Sequence, residues 1–207
     1  MSDRFPKEKN MVGPAFTLRY MPAREDRNQL SEFQNPKHLQ RVAVETCPPG
    51  SVLVMDSRKC AVAASAGDIL ISRLAVRGVA GVVTDGGFRD SMQIASLDIP
   101  AYHSRPSSPT NLTTNEAIEL NCPIGCGDAP IFPGDILVGD SDSVIVIPRH
   151  LADEIAEEAE EMMIYETFVQ EQVKAGASII GLYPCTEEAN RALYKSWLER
   201  RQTELFD

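Results

Sequence analysis

Three neighbouring stretches decide the fold: Ser51-Val-Leu-Val-Met-Asp56, Ala66-Gly67-Asp68-Ile69-Leu70, and Arg77-Gly-Val-Ala-Gly-Val-Val-Thr-Asp-Gly-Gly-Phe-Arg-Asp90. The first is a short apolar run closed by a carboxylate, the pattern of a buried strand. Gly67-Asp68 then opens a helical pattern in which Ile69, Leu70, Leu74 and Ala75 are spaced for one face. Arg77-Gly78 closes that helix with a cation and a C-cap glycine. Val79 to Thr84 reads as a second buried strand. Strand, helix and strand in succession form a βαβ unit, so the sheet is expected to be parallel there and the fold class α/β.

Toward the N-terminus, Gly13-Pro14 reads as a turn and Ala15 to Tyr20 as a first strand. Residues 21–45, polar and weakly periodic, read as a long loop with helical turns. Toward the C-terminus, Ser91 is placed to cap a short helix through Leu97, and Pro100 to His103 suggests a strand. Cys122 to Pro148 consists of short apolar runs broken by Pro133-Gly134 and Asp140-Ser141-Asp142, a β-rich texture. Beyond Pro148 the pattern turns helical. Leu151, Ile155, Met162, Tyr165, Val169 and Val173 mark an apolar stripe that ends before Gly176, suited to core or subunit packing. A last helix is expected from Thr186 to Arg201, after Pro184.

With 207 residues, the chain is expected to form one domain, 1–207, with a helical extension over 149–207. Its 20 Lys and Arg stand against 30 Asp and Glu, a net charge of −10. That balance argues against partners that are nucleic acid or anionic membrane, whose binding rests on clustered Lys and Arg. Met1 to Asn10 lacks an apolar targeting core and no run is long enough to span a bilayer, so the expected location is cytoplasmic. Five scattered cysteines argue against a disulfide framework. Cys122 and Cys126, with neither a second pair nor a nearby histidine, read as buried thiols rather than zinc ligands. The acidity is uneven: over residues 149–207, 13 acids face six Lys or Arg, a balance of −7.

In α/β folds, ligands bind beyond the carboxyl ends of parallel strands. At one such end the helix start Gly67-Asp68-Ile69-Leu70 offers unpaired N–H groups to an anion. At the other, the Arg89 guanidinium can grip a carboxylate or an enolate oxygen. Asp90 beside it is a hard oxygen ligand of the sort Mg²⁺ or Mn²⁺ accepts. Amides, arginine and a one-carboxylate metal site together suit a small 2-oxo acid that forms an enolate.

The same residues carry a resemblance. Gly67-Asp68-Ile69-Leu70, the run from Arg77 to Asp90, and Pro133-Gly-Asp135 with Gly139-Asp-Ser-Asp-Ser-Val144 and Pro148 resemble the RraA-like family. That family includes 4-hydroxy-4-methyl-2-oxoglutarate and 4-carboxy-4-hydroxy-2-oxoadipate aldolases and the regulator of ribonuclease activity A. The resemblance runs from about residue 12 to residue 148. It implies a single α/β/α swivelling-type domain with a central mixed sheet and C-terminal helices, assembled as a homotrimer or hexamer. It implies a divalent-metal-dependent lyase that releases pyruvate and decarboxylates oxaloacetate. In that scheme the amides of Gly67, Asp68, Ile69 and Leu70 hold the substrate carboxylate, Arg89 and Asp68 are catalytic, and Asp90 holds Mg²⁺ or Mn²⁺. Two departures stand out: Gln93 where the aldolases carry an acid, and Ser143 where glycine is usual. Two alternatives stay open, a protein inhibitor of a ribonuclease and a related lyase or dehydratase of a sugar-derived 2-oxo acid.

Overall fold

The computed structural model describes residues 10–204, and the chain divides after Arg149 into two compact units. In the first, β1 (Met11–Pro22) leads through a 3₁₀ turn (Leu30–Gln34) to α1 (Leu39–Thr46), β2 (Val52–Asp56), β3 (Ala64–Ala66) and α2 (Asp68–Val76). Next come β4 (Gly81–Thr84), β5 (Gly87–Phe88), α3 (Ser91–Ser96), β6 (Ala101–Tyr102), β7 (Arg105–Pro106) and a 3₁₀ turn (Asn111–Thr113). The unit closes with β8 (Asn115–Leu120), β9 (Ile124–Cys126), β10 (Ala129–Ile131), β11 (Ile136–Gly139) and β12 (Val144–Ile147).

The central sheet is mixed, in the order β12-β11-β1-β2-β4-β6, with β8 also paired to β1. The expected βαβ unit is present: β2 and β4 are parallel, Val52 opposite Gly81 and Met55 opposite Thr84. Strand β1 is the hub. Its first residues pair antiparallel with β11, its middle parallel with β2, and its end antiparallel with β8. Gly13-Pro14 is therefore no turn but part of β1. A side chain at Gly13 would meet the Gly50 carbonyl oxygen and Val52, so glycine serves close backbone approach there.

Alternation along β2 explains why the sheet is buried on both faces. Leu53 and Met55 join Leu18, Ile71, Leu74, Val82 and Phe88 in one cluster, while Val52 and Val54 join Met11, Ile124, Ile131 and Leu137 in another. Such continuous apolar strands are what a parallel sheet covered on both sides requires. Helix α2 faces the core through Ile71 and Leu74, both essentially inaccessible, whereas Ile69 is 73% exposed. Of the expected face, Leu74 is in the core and Leu70 and Ala75 pack against it; Ile69 points outward, and Ile71 takes its place. Gly78, at φ +75°, ends the helix as anticipated.

The second unit holds α4 (Ala152–Lys174) and α5 (Glu188–Glu204). Its core is aromatic: Phe168, Val169, Leu182 and Trp197 are buried, with Tyr165, Tyr194 and Leu198 packed on them. Trp197 Nε1 donates to Glu171 Oε2 at 2.6 Å, and the Tyr165 hydroxyl donates to the Leu182 carbonyl. Of the anticipated stripe, Val169 and Tyr165 belong to this core, but Met162, Ile155 and Val173 are exposed. Phe168, one residue off that stripe, is the buried anchor.

Candidate functional site

Two short parallel strands that the sequence pattern did not reveal, β3 and β5, assemble the site. They pair with each other, Ala64 opposite Gly87 and Ala66 opposite Phe88, and β5 pairs in turn with β7 in a separate three-stranded sheet. The Arg89 amide donates to the Ala66 carbonyl at 3.1 Å, which sets Arg89 beside Gly67. Gly67 has an extended backbone (φ −126°, ψ −179°) open to any residue, so its role is spatial. A Cβ there would lie 2.6 Å from Arg89 Nε and 2.8 Å from Asp90 Oδ2. Glycine lets the guanidinium and the carboxylate lie directly on the start of α2.

Asp90 adopts the left-handed conformation (φ 58°, ψ 37°), which aspartate tolerates better than most residues. It is the N-cap residue of α3, a place the sequence reading gave to Ser91. Its Oδ2 lies 3.3 Å from Arg89 Nε and 3.5 Å from the Asp68 amide, the latter too long for a strong hydrogen bond. Asp68 Oδ1 accepts from the Ile69 amide at 2.8 Å, and the Leu70 amide donates to Gly67 O at 3.1 Å. All six residues singled out in the sequence, Gly67, Asp68, Ile69, Leu70, Arg89 and Asp90, thus meet at one helix end. The first-turn amides of Asp68 and Ile69 already face the protein's own carboxylates, so an anionic ligand reaches them when those carboxylates turn away. The Asp90 side chain is 39% exposed, free to make that adjustment.

Beneath this pair lies a polar floor. The Ser57, Ser65 and Thr84 hydroxyls lie within 2.6–3.2 Å of one another. Buried Asp85 accepts from the amides of Ser57 (2.7 Å), Lys59 (2.9 Å) and Gly127 (3.3 Å). A Cβ on Gly86 would press on the Ser57 and Ser65 hydroxyls at 2.6–2.8 Å. The loop leading to Arg89 is therefore pinned by satisfied buried bonds.

A cleft of about 400 Å³ opens over Gly67, Ile69, Leu70 and Arg89. It is also lined by Phe33, Gln40 and Arg41, from the segment expected to be a long loop, and by Asn111, from a stretch with no expected element. The Gln40 amide donates to Ser65 O at 2.6 Å and to Asn111 Oδ1 at 3.2 Å, locking α1 to β3. Tyr20 donates its hydroxyl to the same Ser65 carbonyl at 3.4 Å, and burial pushes its pKa far above the usual tyrosine range. The spacing of Leu39, Ala43 and Val44 is the signal that would have revealed α1.

Asp68 and Asp90 are the acidic donors at this helix end. No group of three or more His, Cys, Asp and Glu suited to a metal gathers among the described residues. The donor set fits a hydrated hard cation such as Mg²⁺ or Mn²⁺, which takes one or two carboxylates and fills the rest with water or substrate oxygens. Gln93 is exposed on α3. Ser143 lies in a turn where its amide and that of Asp142 donate to Asp140 Oδ1, at 3.0 and 2.8 Å. It is not among the residues with positive φ, so serine replaces glycine there without backbone strain. All five cysteines are free thiols, as expected, and no helix among the described residues is long and apolar enough to cross a membrane.

Comparison with known proteins bears on this arrangement. A model of the RraA-like family, described as Aldolase/RraA, matches residues 2–146. A protein of Halalkalibacterium halodurans, provisionally named 4-hydroxy-4-methyl-2-oxoglutarate aldolase, is 34% identical over 149 residues, or 72% of this chain and 65% of that protein. A similarly named protein of Ectopseudomonas mendocina is 33% identical over 50% of this chain and 63% of its own length. The chain thus spans somewhat under two thirds of these relatives. The crystal structure of Streptomyces coelicolor RraAS2, described as an unusual member of the RNase ES inhibitor RraA family, matches with TM-score 0.68 at 29% identity, covering 78% of this chain and 76% of that one.

Proposed function

The chain belongs to the RraA-like family, and from that premise we propose that it is a divalent-metal-dependent lyase that cleaves a 4-hydroxy-2-oxo diacid to pyruvate and a second oxo acid. Oxaloacetate decarboxylation belongs to the same proposal, since both reactions pass through the enolate of pyruvate. The observation that carries it is the meeting of Arg89, Asp90 and the α2 start across Gly67, a place only glycine leaves open.

The chemistry follows from charge. Breaking the C3–C4 bond leaves its electron pair on C3, conjugated with the 2-oxo group, while the 4-hydroxyl loses its proton and becomes a carbonyl. Arg89, permanently charged, neutralises the oxyanion that forms on the 2-oxo oxygen. The amides of Asp68 and Ile69, once the Asp90 and Asp68 carboxylates turn away, hold the adjacent carboxylate in the positive field of the helix start, while the Leu70 amide stays on Gly67 O. Asp90 and Asp68 are the residues that would hold Mg²⁺ or Mn²⁺, which when bound adds Lewis acidity at the 2-oxo group. Asp68 also orders a water through which the 4-hydroxyl proton leaves and C3 is reprotonated. We propose a homotrimer or hexamer as the working assembly, which light scattering measures directly.

The test is a coupled assay of pyruvate release from 4-hydroxy-2-oxo diacids and oxaloacetate, with and without EDTA. Turnover that chelation abolishes and Mg²⁺ or Mn²⁺ restores is expected; absence of turnover across the panel overturns the reading. A second reading, a protein inhibitor of a ribonuclease, is favoured by the likeness to the RraAS2 structure and by the net charge of −10, which suits a basic partner surface. Recovery of a ribonuclease in a pull-down, without pyruvate release, would favour it.

A further inference from the structure

We propose that Arg41 is the specificity residue of the cleft, holding the distal carboxylate of a substrate whose 2-oxo acid end lies against Arg89; this rests on the reading above. Arg41 lines the same cleft as Arg89 but comes from α1, remote in sequence. Its Cζ stands 4.9 Å from the centre of the Phe33 ring. The ring face holds the cation in place, and the terminal N–H groups of a guanidinium held this way can grip a carboxylate with two parallel bonds.

Two observations say that this fork is built for a ligand. Arg41 Nε is buried and has no hydrogen-bond partner, a cost a folded protein rarely leaves unexplained. Among the described residues, no ion pair to Arg41 appears, whereas Arg89, the other arginine lining the cleft, has Asp90 Oδ2 at 3.3 Å. The residues lining the cleft include two arginines and neither aspartate nor glutamate, on a chain of net charge −10. Since Arg89 already has Asp90 beside it, Arg41 is, among the described residues, the cleft cation without a carboxylate, and an anion charged at both ends supplies one where a monoanion does not.

Gln40 and Asn111 explain why Arg41 stays in place. Their mutual bond and the Gln40 bond to Ser65 O fix the helix that carries Arg41 to the strand that leads to Gly67. The distance between the two cation sites is therefore set by the fold, and the cleft measures substrate length as well as charge. An analogue with a methyl group in place of the distal carboxylate leaves the Arg41 donors unpaired, the arrangement that gives a site its strongest discrimination.

The experiment is calorimetric titration, with Mg²⁺ present, of 2-oxoglutarate and of 2-oxopentanoate, which has the same carbon count but ends in methyl. Neither carries a 4-hydroxyl, so neither can undergo the cleavage. The wild-type chain is expected to bind the diacid at least about tenfold more tightly, the scale of one hydrogen-bonded charge pair. Arg41→Gln is expected to abolish that preference while holding 2-oxopentanoate within about twofold, and Arg41→Lys to keep part of it, as a point charge without the fork would. A preference that survives in Arg41→Gln, or equal loss of both ligands in Arg41→Gln and Arg41→Lys, overturns the assignment. Equal binding of the two acids by the wild type, or binding of neither, overturns it as well. Discrimination without pyruvate release would leave Arg41 in this role and overturn the lyase reading alone.

Discussion

The two walls of the cleft are built in opposite ways. One wall is local: Gly67 to Leu70 and Arg89-Asp90 follow strands that pair directly, β3 with β5. The other is assembled from distant segments, with Gln40 and Arg41 on α1 meeting Asn111 from a 3₁₀ turn 71 positions away from Gln40. The local wall carries the groups that would act on the reacting atoms, and the assembled wall carries those that would measure the rest of the substrate. Chemistry and selectivity are expected to separate along that line.

The largest effect should come from the local wall. Arg89→Ala and Asp90→Ala are each expected to lower kcat/KM for pyruvate release by at least ~2.7 kcal/mol, about a hundredfold, on the scale of a lost oxyanion donor. Arg89 is partly exposed, so Arg89→Ala should hardly move the melting temperature. Asp90→Ala sets alanine at φ 58° on the N-cap of α3 and should lower it, so that variant is assayed well below its own midpoint. Gly67→Ala comes next. The added methyl would meet the movable ends of Arg89 and Asp90 rather than backbone, so the chain should fold normally while losing about tenfold in kcat, the cost of about 1.4 kcal/mol of misplacement. Equal loss of stability and activity would show that Gly67 serves the fold instead.

On the assembled wall, Gln40→Ala removes a buried amide from Ser65 O and Asn111. It is expected to cost about 1–3 kcal/mol in urea denaturation, since partner groups are left unpaired, and to raise KM more than it lowers kcat. The smallest effect lies away from the cleft. Burial pushes the Cys126 thiol up to about 12 from an ordinary 9.0, so the folded state holds a proton that the unfolded state releases. Its contribution to stability is complete below pH 9 and is lost as pH rises from 9 toward 12. Cys126→Ala should therefore show a shallower decline in stability over that range, read from melting temperatures at successive pH values.

Much of the local wall was legible because strand, helix start and strand lie within a single βαβ unit, and periodicity, caps and turn residues all act over such short spans. The parallel pairing of β2 and β4, the end of α2 at Gly78 and the β-rich stretch from Cys122 to Pro148 follow from the same short-range signals. What failed did so for physical reasons. Strands β3 and β5, with three and two residues, are too short to show alternation. Gly13-Pro14 looked like a turn because the sequence does not show that a neighbouring backbone passes against Gly13. The assembled wall depends on tertiary contacts between Gln40, Ser65 and Asn111, which no local pattern encodes.

The central proposal is that Arg89 takes up the enolate charge, with Asp90 the residue that would hold a divalent cation beside it. Pyruvate release from a 4-hydroxy-2-oxo diacid, followed for the wild type, Arg89→Ala and Asp90→Ala before and after EDTA and again after added Mg²⁺, tests it most directly. The account predicts that EDTA silences the wild type, that Mg²⁺ restores it, and that neither variant recovers. Full turnover by Arg89→Ala, or by the wild type after chelation, would contradict it.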